Sequence, residues 1–279
     1  MGAWSPVTIG RIFDMVGVGI QTDLMLLRPF ADFDRTSAGL RVVTRGFPTY
    51  WFGNMLVVDD LPDDPRTAIA MFQSEFSDVP DIRHITFLWD SGPLDAEIKA
   101  RYVAAGFDID VDGTLTTAMP NAPKLAPQGI DLRPIVTQAD YDQVVALQFE
   151  IGKDDYPDTD DYLTYLRQNI DTHRKRVAAG MGQWFGAFED DRLVSNMGLF
   201  AQNGIARYQE VGTDVSYRGR GIASALIHFA AQSIKTQHAV QTFVIVAMDQ
   251  SNAQRLYVKC GFALLDKTYS ACRRPPGQV

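Results

Sequence analysis

Two glycines and two arginines alternate in one turn of the sequence, between a strand-like segment and a helical one. The turn is Arg218-Gly219-Arg220-Gly221, and residues 222–234 place apolar side chains on one helical face. The first N–H groups of a helix have no intrahelical partner, and glycine lets an anion approach them closely. The spacing therefore predicts a site for a diphosphate-sized anion, with the arginines as additional donors. A plain turn with two solvated arginines is the alternative.

A second informative stretch, residues 248–262, predicts a short helix. Ser251 and Gln254 have the spacing of a capping box, and Gly261 stands where a helix ends in a left-handed residue. Asn252 then lies in the first turn and Tyr257 in the middle of the helix. The side chains predicted to face inward are those of Ala253, Leu256 and Cys260.

Together the two stretches resemble the GNAT superfamily of acyl-CoA-dependent N-acetyltransferases. The resemblance rests on residues 218–223, on Asn252-Ala253, on Tyr257 and on Gly261-Phe262, and it covers residues 128 to about 272. In that family the glycine-rich turn holds the coenzyme A pyrophosphate on backbone amides, and the strand before it splays from its neighbour. The resemblance assigns acetyl-CoA binding to Val211, Thr213, Asp214, Val215, Arg218, Gly219, Arg220, Gly221, Ile222, Ala223, Ser224 and Asn252.

The strand that leads into the turn has three further features. Gly212 within it indicates a bulge or a close backbone approach. A backbone N–H between residues 211 and 213 could polarise a thioester carbonyl. Val215 stands where the family often has proline, and this departure leaves the backbone role intact.

Two residues are candidates for proton transfer. Tyr257 matches the tyrosine that the family often uses as general acid, and a phenol with a pKa of about 10 stays protonated at neutral pH. Glu210, early on the splayed strand, is the candidate base for the amine, directly or through water. A core tyrosine and a merely solvated carboxylate are the alternatives. Cys260 is expected to be a buried apolar residue rather than a nucleophile.

The two halves of the sequence also resemble each other. Residues 102–107 match residues 257–262 at four of six positions, with an offset of 155. Each motif belongs to the same order of strand, turn, helix, strand, helix and strand. A linker rich in proline separates the halves at 120–129. The sequence therefore predicts a mixed α/β fold of two tandem GNAT-like domains, with splayed central strands and helices on both faces of the sheet.

The halves are expected to differ in function. We expect an N-terminal extension at 1–20, a degenerate GNAT-like domain at 21–119 and the catalytic domain at 130–279. At the same offset, the glycine-rich turn falls on residues 63–66, Asp-Asp-Pro-Arg. Two carboxylates repel a pyrophosphate and proline has no N–H, so the first half is expected not to bind the coenzyme. With two such domains in one chain, we expect a monomer or a weak homodimer.

Composition disfavours several classes of function. The formal net charge of −8 argues against a general nucleic-acid binder. The longest apolar run, at 243–248, is far shorter than the about 20 residues that cross a bilayer, and no signal-peptide pattern opens the sequence. Two cysteines and four histidines show no metal-ligand spacing, so no metal is expected. So few cysteines favour a reducing, cytoplasmic location.

An acidic run lies between the first two predicted helices of the second half. A negative rim there would attract a cationic acceptor, and a solvated loop is the alternative. Two aromatic residues nearby, Tyr156 and Trp184, are expected either to line an acceptor pocket or to pack in the core. The acidic residues are Asp154, Asp155, Asp158, Asp160 and Asp161.

The resemblance implies an N-acetyltransferase that moves an acetyl group from acetyl-CoA to a primary amine of a small molecule or peptide. The implied route is direct attack in a ternary complex. A non-catalytic coenzyme-A-binding sensor or interaction module is the alternative. A kinase or dehydrogenase is disfavoured, because the turn lacks both the third glycine of a dinucleotide fingerprint and the Gly-Lys-Ser/Thr of a P-loop.

Overall fold

The computed structural model describes residues 16–155 and 159–275. Contacts between Cα atoms divide the chain into two compact units. Unit 1 contains the described residues up to Thr114, together with Ala247–Asp249 and those from Leu265 onward. Unit 2 contains the described part of Leu115–Val246 and Gln250–Leu264. The fold is mixed α/β, as the order of elements in the sequence predicts.

Unit 1 is a mixed sheet with helices on both faces. Its elements are α1 (Val18–Leu27), β1 (Asp32–Thr36), β2 (Gly39–Val43), β3 (Asn54–Val57), α2 (Pro65–Glu75), β4 (Ile85–Trp89), α3 (Ala96–Ala104), most of β5 (Asp108–Thr117) and most of β11 (Ala263–Arg273). The pairing runs β1–β2–β3–β4–β11, with only β3–β4 parallel, and β5 lies next to β11.

Successive residues of the central strands of unit 1 face opposite sides of the sheet. Leu56 packs in one apolar cluster with Phe72 of α2 and Tyr102 of α3. Its neighbour Met55 packs in a second cluster with Leu24 of α1. Because adjacent residues of β3 reach both clusters, α1 covers the face opposite to α2 and α3.

Unit 2 has the same kind of architecture. Its elements are β6 (Asp131–Pro134), α4 (Gln138–Gly152), α5 (Thr159–Ala178), β7 (Gly182–Glu189), β8 (Arg192–Gln202), β9 (Ile205–Thr213), α6 (Ile222–His238), most of β10 (Thr242–Met248) and α7 (Asn252–Lys259). The strands run β6–β7–β8–β9–β10, antiparallel except for the parallel pair β9–β10. β7 and β8 form an antiparallel hairpin.

Helices cover both faces of the sheet of unit 2. Trp184 of β7 contacts His173 of α5, with ring centroids 4.8 Å apart. The next residue, Phe185, makes an edge-on contact with Phe229 of α6 at 5.9 Å. Neighbouring strand residues point to opposite faces, so α5 and α6 lie on opposite sides.

The repeated motif is present in the backbone of both units. Gly106 and Gly261 end α3 and α7 with φ angles of +84° and +90°. The N–H of the following phenylalanine donates to the tyrosine carbonyl in each motif, at 3.0 Å from Phe107 to Tyr102 and at 3.1 Å from Phe262 to Tyr257. Each motif follows a parallel strand pair joined by a helix, β3–α2–β4 and β9–α6–β10. The match between 102–107 and 257–262 is therefore structural.

The compact units differ from the halves of the sequence at the last strand. The sequence assigns 263–273 to the second domain, but Tyr269–Arg273 of β11 pair antiparallel with β4 and lie in unit 1. The linker region 120–129 contains no helix or strand. The functional domain boundaries predicted from the sequence remain a prediction.

Two details of the second stretch differ from expectation. Ser251 Oγ accepts from Gln254 N at 3.1 Å, but the Gln254 side chain accepts from Gln250 N rather than from Ser251, so the capping box is half formed. Ala253 is exposed, because it lies in the first turn of α7 before the helix meets the sheet. The inward-facing prediction is wrong for this residue and correct for Cys260, which is buried.

Candidate active site

Strands β9 and β10 of unit 2 stay paired for only three residues. The pairing runs from Ile205 opposite Thr242 to Arg207 opposite Val244. Beyond Arg207, residues 208–213 of β9 have no partner strand on this edge among the residues that the structure describes. The predicted splay of the strand before the glycine-rich turn is therefore present.

A bulge shapes β9 at the same level as the splay. Its register with β8 shifts between Asn196 and Gly198, and Glu210 opposite the shift has a φ angle of +52°. Gln148 Nε2 of α4 donates to the carbonyl oxygen of Glu210 at 2.6 Å. A Cβ on Gly212 would lie 2.9 Å from Ile151 Cδ1, which is closer than ordinary van der Waals contact. Of the two alternatives predicted at Gly212, the bulge is present immediately before it, and the side chains of Ile151 and Gln148 pack closely over Gly212 itself.

The carboxyl group of Glu210 lies against α5 and is only partly exposed. Asn169 Nδ2 donates to Glu210 Oε1 at 3.2 Å. Burial raises the pKa of Glu210 above its ordinary value, and the Asn169 hydrogen bond opposes that rise. A carboxylate with a raised pKa and one neutral donor is suited to accept a proton.

Asn196 connects this bulge to the core. Its Oδ1 accepts from Gln148 Nε2 at 3.2 Å and from Trp184 Nε1 at 3.1 Å. Trp184 is fully buried, so it packs in the core and does not line an acceptor pocket. Gln148, Asn169 and Asn196 are residues of the site that the sequence reasoning missed.

The glycine-rich turn leaves the N-terminus of α6 open. Gly221 is the N-cap in a left-handed conformation with φ +76°, and it offers no side-chain acceptor. The first bond that closes the helix runs from Ala225 N to Gly221 O at 3.1 Å. The N–H groups of the preceding residues, 222–224, therefore have no intrahelical acceptor. Both Gly219, with φ +80°, and Gly221 border open space.

The charged side chains around the turn are largely paired. Arg220 Nη2 lies 3.0 Å from Glu189 Oε1, and its guanidinium lies over the ring of Tyr217. Tyr217 Oη donates to Glu189 Oε2 at 2.5 Å, and these contacts lower the pKa of Glu189. Arg218 is exposed and donates to Thr213 O at 3.3 Å. The main-chain N–H groups of residues 222–224 and the exposed Arg218 side chain are thus the donors that remain available at the turn.

Tyr257 of α7 is a buried tyrosine whose hydroxyl has no hydrogen-bond partner among the described residues. Burial raises its pKa to about 12, and the charge of Arg207 opposes that rise. The ring of Tyr257 lies 6.5 Å from that of Phe262, which in turn contacts the ring of Tyr208, the first residue of β9 beyond the pairing with β10, at 5.9 Å. In unit 1, by contrast, Tyr102 Oη donates to Pro62 O at 2.6 Å.

The region that contains this site matches a known family. Residues 142–262 match the model of the acetyltransferase (GNAT) family. This part of the chain is therefore similar to the GNAT family. We call residues 142–262 the GNAT region.

The chain is also similar to a curated acetyltransferase and to solved structures. Streptothricin acetyltransferase from Escherichia coli is 31% identical over 81 residues, which are 29% of this chain and 47% of that protein. The chain thus spans about half the length of this curated relative. A GCN5-related N-acetyltransferase from Kribbella flavida is similar in structure with a TM-score of 0.63 and 16% identity, covering 94% of this chain and 96% of that one.

A tandem GNAT protein from the clavulanic acid biosynthesis pathway has a TM-score of 0.57 and 16% identity. The similarity covers 100% of this chain and 98% of that one. Because both sequence identities are low, these two structural similarities show the fold of the chain and not its activity.

The remaining predicted residues of the GNAT region lie around the same opening. Val211 and Thr213 lie on the part of β9 that is no longer paired with β10, and Asp214 accepts from Ser216 N at 2.9 Å in the turn that follows. Val215 is exposed there. Asn252 is exposed at the start of α7, and its Oδ1 accepts from Arg255 Nη2 at 2.5 Å. Their assignment to acetyl-CoA binding remains a prediction.

Cys260 is confirmed as a buried residue. Its Sγ donates to Ser224 Oγ at 3.5 Å, and burial raises the pKa of the thiol. A thiol that stays protonated is a poor nucleophile. Cys260 therefore packs α7 against α6.

The turn of unit 1 that corresponds to the glycine-rich turn is closed. Asp64 is the N-cap of α2, and its carboxylate accepts from Arg66 N at 2.9 Å. Pro65 occupies the first helical position and has no N–H. The donors left open in α6 are thus capped or absent in α2.

The acidic run is described in part. Tyr156 and Asp158 lie outside the described residues. The side chains of Asp154, Asp160 and Asp161 are exposed.

No described helix is long and apolar enough to cross a membrane. The described ranges hold no group of three or more side chains that could ligate a metal ion.

Proposed function

We propose that the chain is an acyl-CoA-dependent N-acetyltransferase whose GNAT region carries the reaction. The observation behind this proposal is the open, glycine-capped N-terminus of α6 beside the unpaired edge of β9. Helix N-termini of this kind bind phosphate groups. A free strand edge offers hydrogen bonds to an extended amide-containing arm. Acetyl-CoA has both parts. The family match and the streptothricin acetyltransferase relative support acyl transfer.

The turn binds the diphosphate through main-chain donors in this proposal. The N–H groups from Gly219 to Ser224 face an anion without intervening Cβ atoms at the two glycines. Arg218, which is exposed and makes only a 3.3 Å contact, can turn toward a phosphate. Arg220 is held by Glu189 and contributes to the local potential rather than a direct contact.

Glu210 and Tyr257 move the two protons of the transfer. Acetyl-CoA supplies the acetyl group as a thioester. Glu210 takes a proton from the attacking amine, for which a raised pKa is favourable. As the nitrogen–carbon bond forms and the carbon–sulfur bond breaks, Tyr257 gives its hydroxyl proton to the departing sulfur. The second proton, which the nitrogen loses on becoming an amide, returns to the Tyr257 oxygen. With a pKa of about 12, that hydroxyl is protonated at neutral pH.

A primary amine is the acceptor that this arrangement favours. Exposed carboxylates of residues 154, 160 and 161 produce a negative potential that attracts an ammonium group. The same ammonium group must lose a proton before it attacks, and Glu210 provides a place for that proton.

Titration and turnover test the proposal together. We expect calorimetry to give one acetyl-CoA site per chain, because α2 of unit 1 is capped by Asp64 while α6 is open. We also expect free thiol to be released when acetyl-CoA and an effective primary amine are both present. Two equivalent sites, or no binding of any coenzyme A derivative, would contradict the proposal. Binding without thiol release across a broad amine panel would favour the alternative, a coenzyme-A-binding sensor.

Substitution of the N-cap glycine should weaken coenzyme binding. Alanine at a φ of +76° costs about 1–2 kcal/mol of backbone strain, which the turn relieves by moving its N–H groups. We expect Gly221→Ala to raise the Kd for acetyl-CoA about tenfold or more, which is about 1.4 kcal/mol per factor of ten. Isothermal titration calorimetry measures this change.

Gly129→Ala is the matched control for Gly221→Ala. Gly129 has a φ of +69°, borders open space and lies in an exposed segment of unit 2. Alanine at position 129 therefore causes a similar backbone strain without touching the proposed site. An equal rise in Kd in both variants would show that strain, rather than the turn itself, weakens binding.

A further inference from the structure

Unit 1 contains a cavity that the proposed acetyl transfer does not use. Its volume is about 420 Å³, within the range of small-molecule sites. The wall is formed by the end of α2, the residues leading into β4 and the end of β11. The aromatic and basic side chains that line it are those of Phe72, Phe76, Arg83, His84, Arg273 and Arg274.

The charge of this cavity is positive. Three guanidinium groups line it, and no acidic side chain does among the described residues. Arg83 and Arg273 make no ion pair within the described part of the chain. Arg274 contacts Asp108 through Nε at 3.3 Å, and its guanidinium lies over the ring of Trp51. In a chain with a net charge of −8, two guanidinium groups without an ion-pair partner among the described residues indicate a local purpose.

The apolar part of the cavity wall is formed by Phe72 and Phe76, which are almost fully buried, and by the more exposed Pro80 and Ile82. The rings of Phe72 and Phe76 are stacked with centroids 4.1 Å apart and an interplanar angle of 3°. His84 is buried, and its Nε2 lies 3.0 Å from Asn54 O. Burial lowers the pKa of His84 to about 4, so this ring is a neutral part of the wall at physiological pH.

We propose that this cavity binds a small organic anion with an apolar body, through the guanidinium groups of Arg83 and Arg273. Guanidinium groups bind carboxylate and phosphate in the same planar, bidentate way. Pro80 and Ile82, the more exposed apolar residues of the lining, provide the surface that an apolar body covers. The cavity assigns unit 1 a binding role that is independent of acetyl transfer.

Calorimetric titration with matched probes tests this site. Phenylacetate and phenyl phosphate are the anionic probes, and phenylacetamide is the neutral analogue of similar shape. We expect at least one of the two anions to bind with one site per chain, and the neutral analogue to bind at least about tenfold more weakly. The ratio of the two anion affinities separates a carboxylate site from a phosphate site. Equal binding of the neutral analogue would overturn the proposal.

Variants locate the binding. Arg83→Gln with Arg273→Gln should weaken anion binding about tenfold or more, whereas Arg35→Gln, an exposed arginine of unit 1 outside the cavity, should not change it. The single variant Arg83→Gln keeps the test usable if the double variant unfolds, because Arg83 is exposed. An equal loss in the Arg35→Gln control would overturn the proposal.

The glycine-rich turn of unit 2 could also attract these anions, so the titration is repeated with saturating coenzyme A. We expect anion binding to persist, because Arg83 and Arg273 belong to unit 1. Loss of anion binding in the presence of coenzyme A would place the anion at the turn and reject the cavity. This outcome is independent of whether acetyl transfer occurs.

Discussion

Replacing Tyr257 by phenylalanine is expected to lower kcat by about 10²–10⁴, the range typical of a lost general acid. The substitution removes only a hydroxyl that has no hydrogen-bond partner among the described residues, so the fold loses little. The KM for acetyl-CoA should change little, because α6 and β9 are untouched. Steady-state rates of thiol release, measured over a range of acetyl-CoA concentrations, separate the two constants.

Tyr102→Phe is the internal control, because Tyr102 occupies the same position of the repeated motif in unit 1. Its hydroxyl donates to Pro62 O at 2.6 Å, so its loss should cost about 1 kcal/mol of stability. Its activity should equal that of the unmodified protein. A Tyr257→Phe variant that keeps more than a third of kcat would show that Tyr257 is a core tyrosine and that solvent protonates the leaving sulfur.

The pH dependence gives the same hypothesis a second test. The phenol must be protonated to donate, and burial raises the pKa of Tyr257 to about 12. Because its folded pKa is raised, Tyr257 contributes stability below its unfolded pKa of about 10. This contribution is lost as pH rises toward the folded pKa of about 12. We therefore expect no descending limb of kcat from this group below pH 10. A descending limb near pH 8 that disappears in Tyr257→Phe would contradict the raised pKa.

Local chemistry explains why the turn and the helix ends were predictable. Gly219 and Gly221 mark a turn that needs left-handed residues, and Gly261 marks the end of α7 in the same way. The apolar stripe of α6 indicates which face is buried. Each of these features depends on residues within a few positions of each other, which is the range that a sequence pattern describes.

The supporting residues of the bulge were not predicted, because their role depends on contacts between distant segments. Gln148 reaches Glu210 O across 62 positions, and Asn169 reaches the Glu210 carboxyl across 41. A signal was nevertheless present. Gln148 stands one turn after Val144, and Asn169 lies between Leu166 and Ile170 on the buried stripe of its helix. A polar residue on an apolar face usually has a specific partner.

Local sequence patterns also do not predict which strand pairs with β11. β11 follows α7 in the chain but pairs with β4, whose residues stand more than 170 positions earlier. Both strands are apolar enough to occupy the inside of a sheet, and periodicity does not distinguish between candidate neighbours. The burial of Trp184 could not be predicted for the same reason. It lies beside Asn196 because β7 pairs with β8, and this pairing joins separate segments of the chain.

Replacing Glu210 by glutamine is the second substitution with a large expected effect. Glutamine keeps an oxygen that can accept from Asn169 Nδ2, and it removes only the charge and the basicity. We expect kcat/KM for the amine to fall about 10²-fold or more near neutral pH, because the ammonium group loses its proton acceptor. Thiol release at limiting amine concentration measures this loss. The unmodified protein should lose activity as pH falls through the raised pKa of Glu210.

The same substitution should leave the fold as stable or more stable at neutral pH. A carboxyl group whose folded pKa is raised contributes stability below its unfolded pKa, and this contribution is lost as pH rises through the folded value. At pH 7, which lies above the unfolded pKa of a glutamate, Glu210 therefore costs stability that glutamine does not. Urea unfolding at pH 7 should give an equal or higher midpoint for Glu210→Gln, and the advantage should shrink toward pH 4.

Glu150→Gln separates a general effect of lost negative charge from the specific one. Glu150 is an exposed carboxylate of α4 that pairs with Lys153 at 2.8 Å, so its replacement should change neither activity nor the unfolding midpoint appreciably. A Glu210→Gln variant with normal kcat/KM would mean that water alone accepts the proton. One that is inactive and also less stable at pH 7 would mean that Glu210 supports the bulge rather than the reaction. Loss of activity with retained or improved stability identifies a residue kept for chemistry at the expense of the fold.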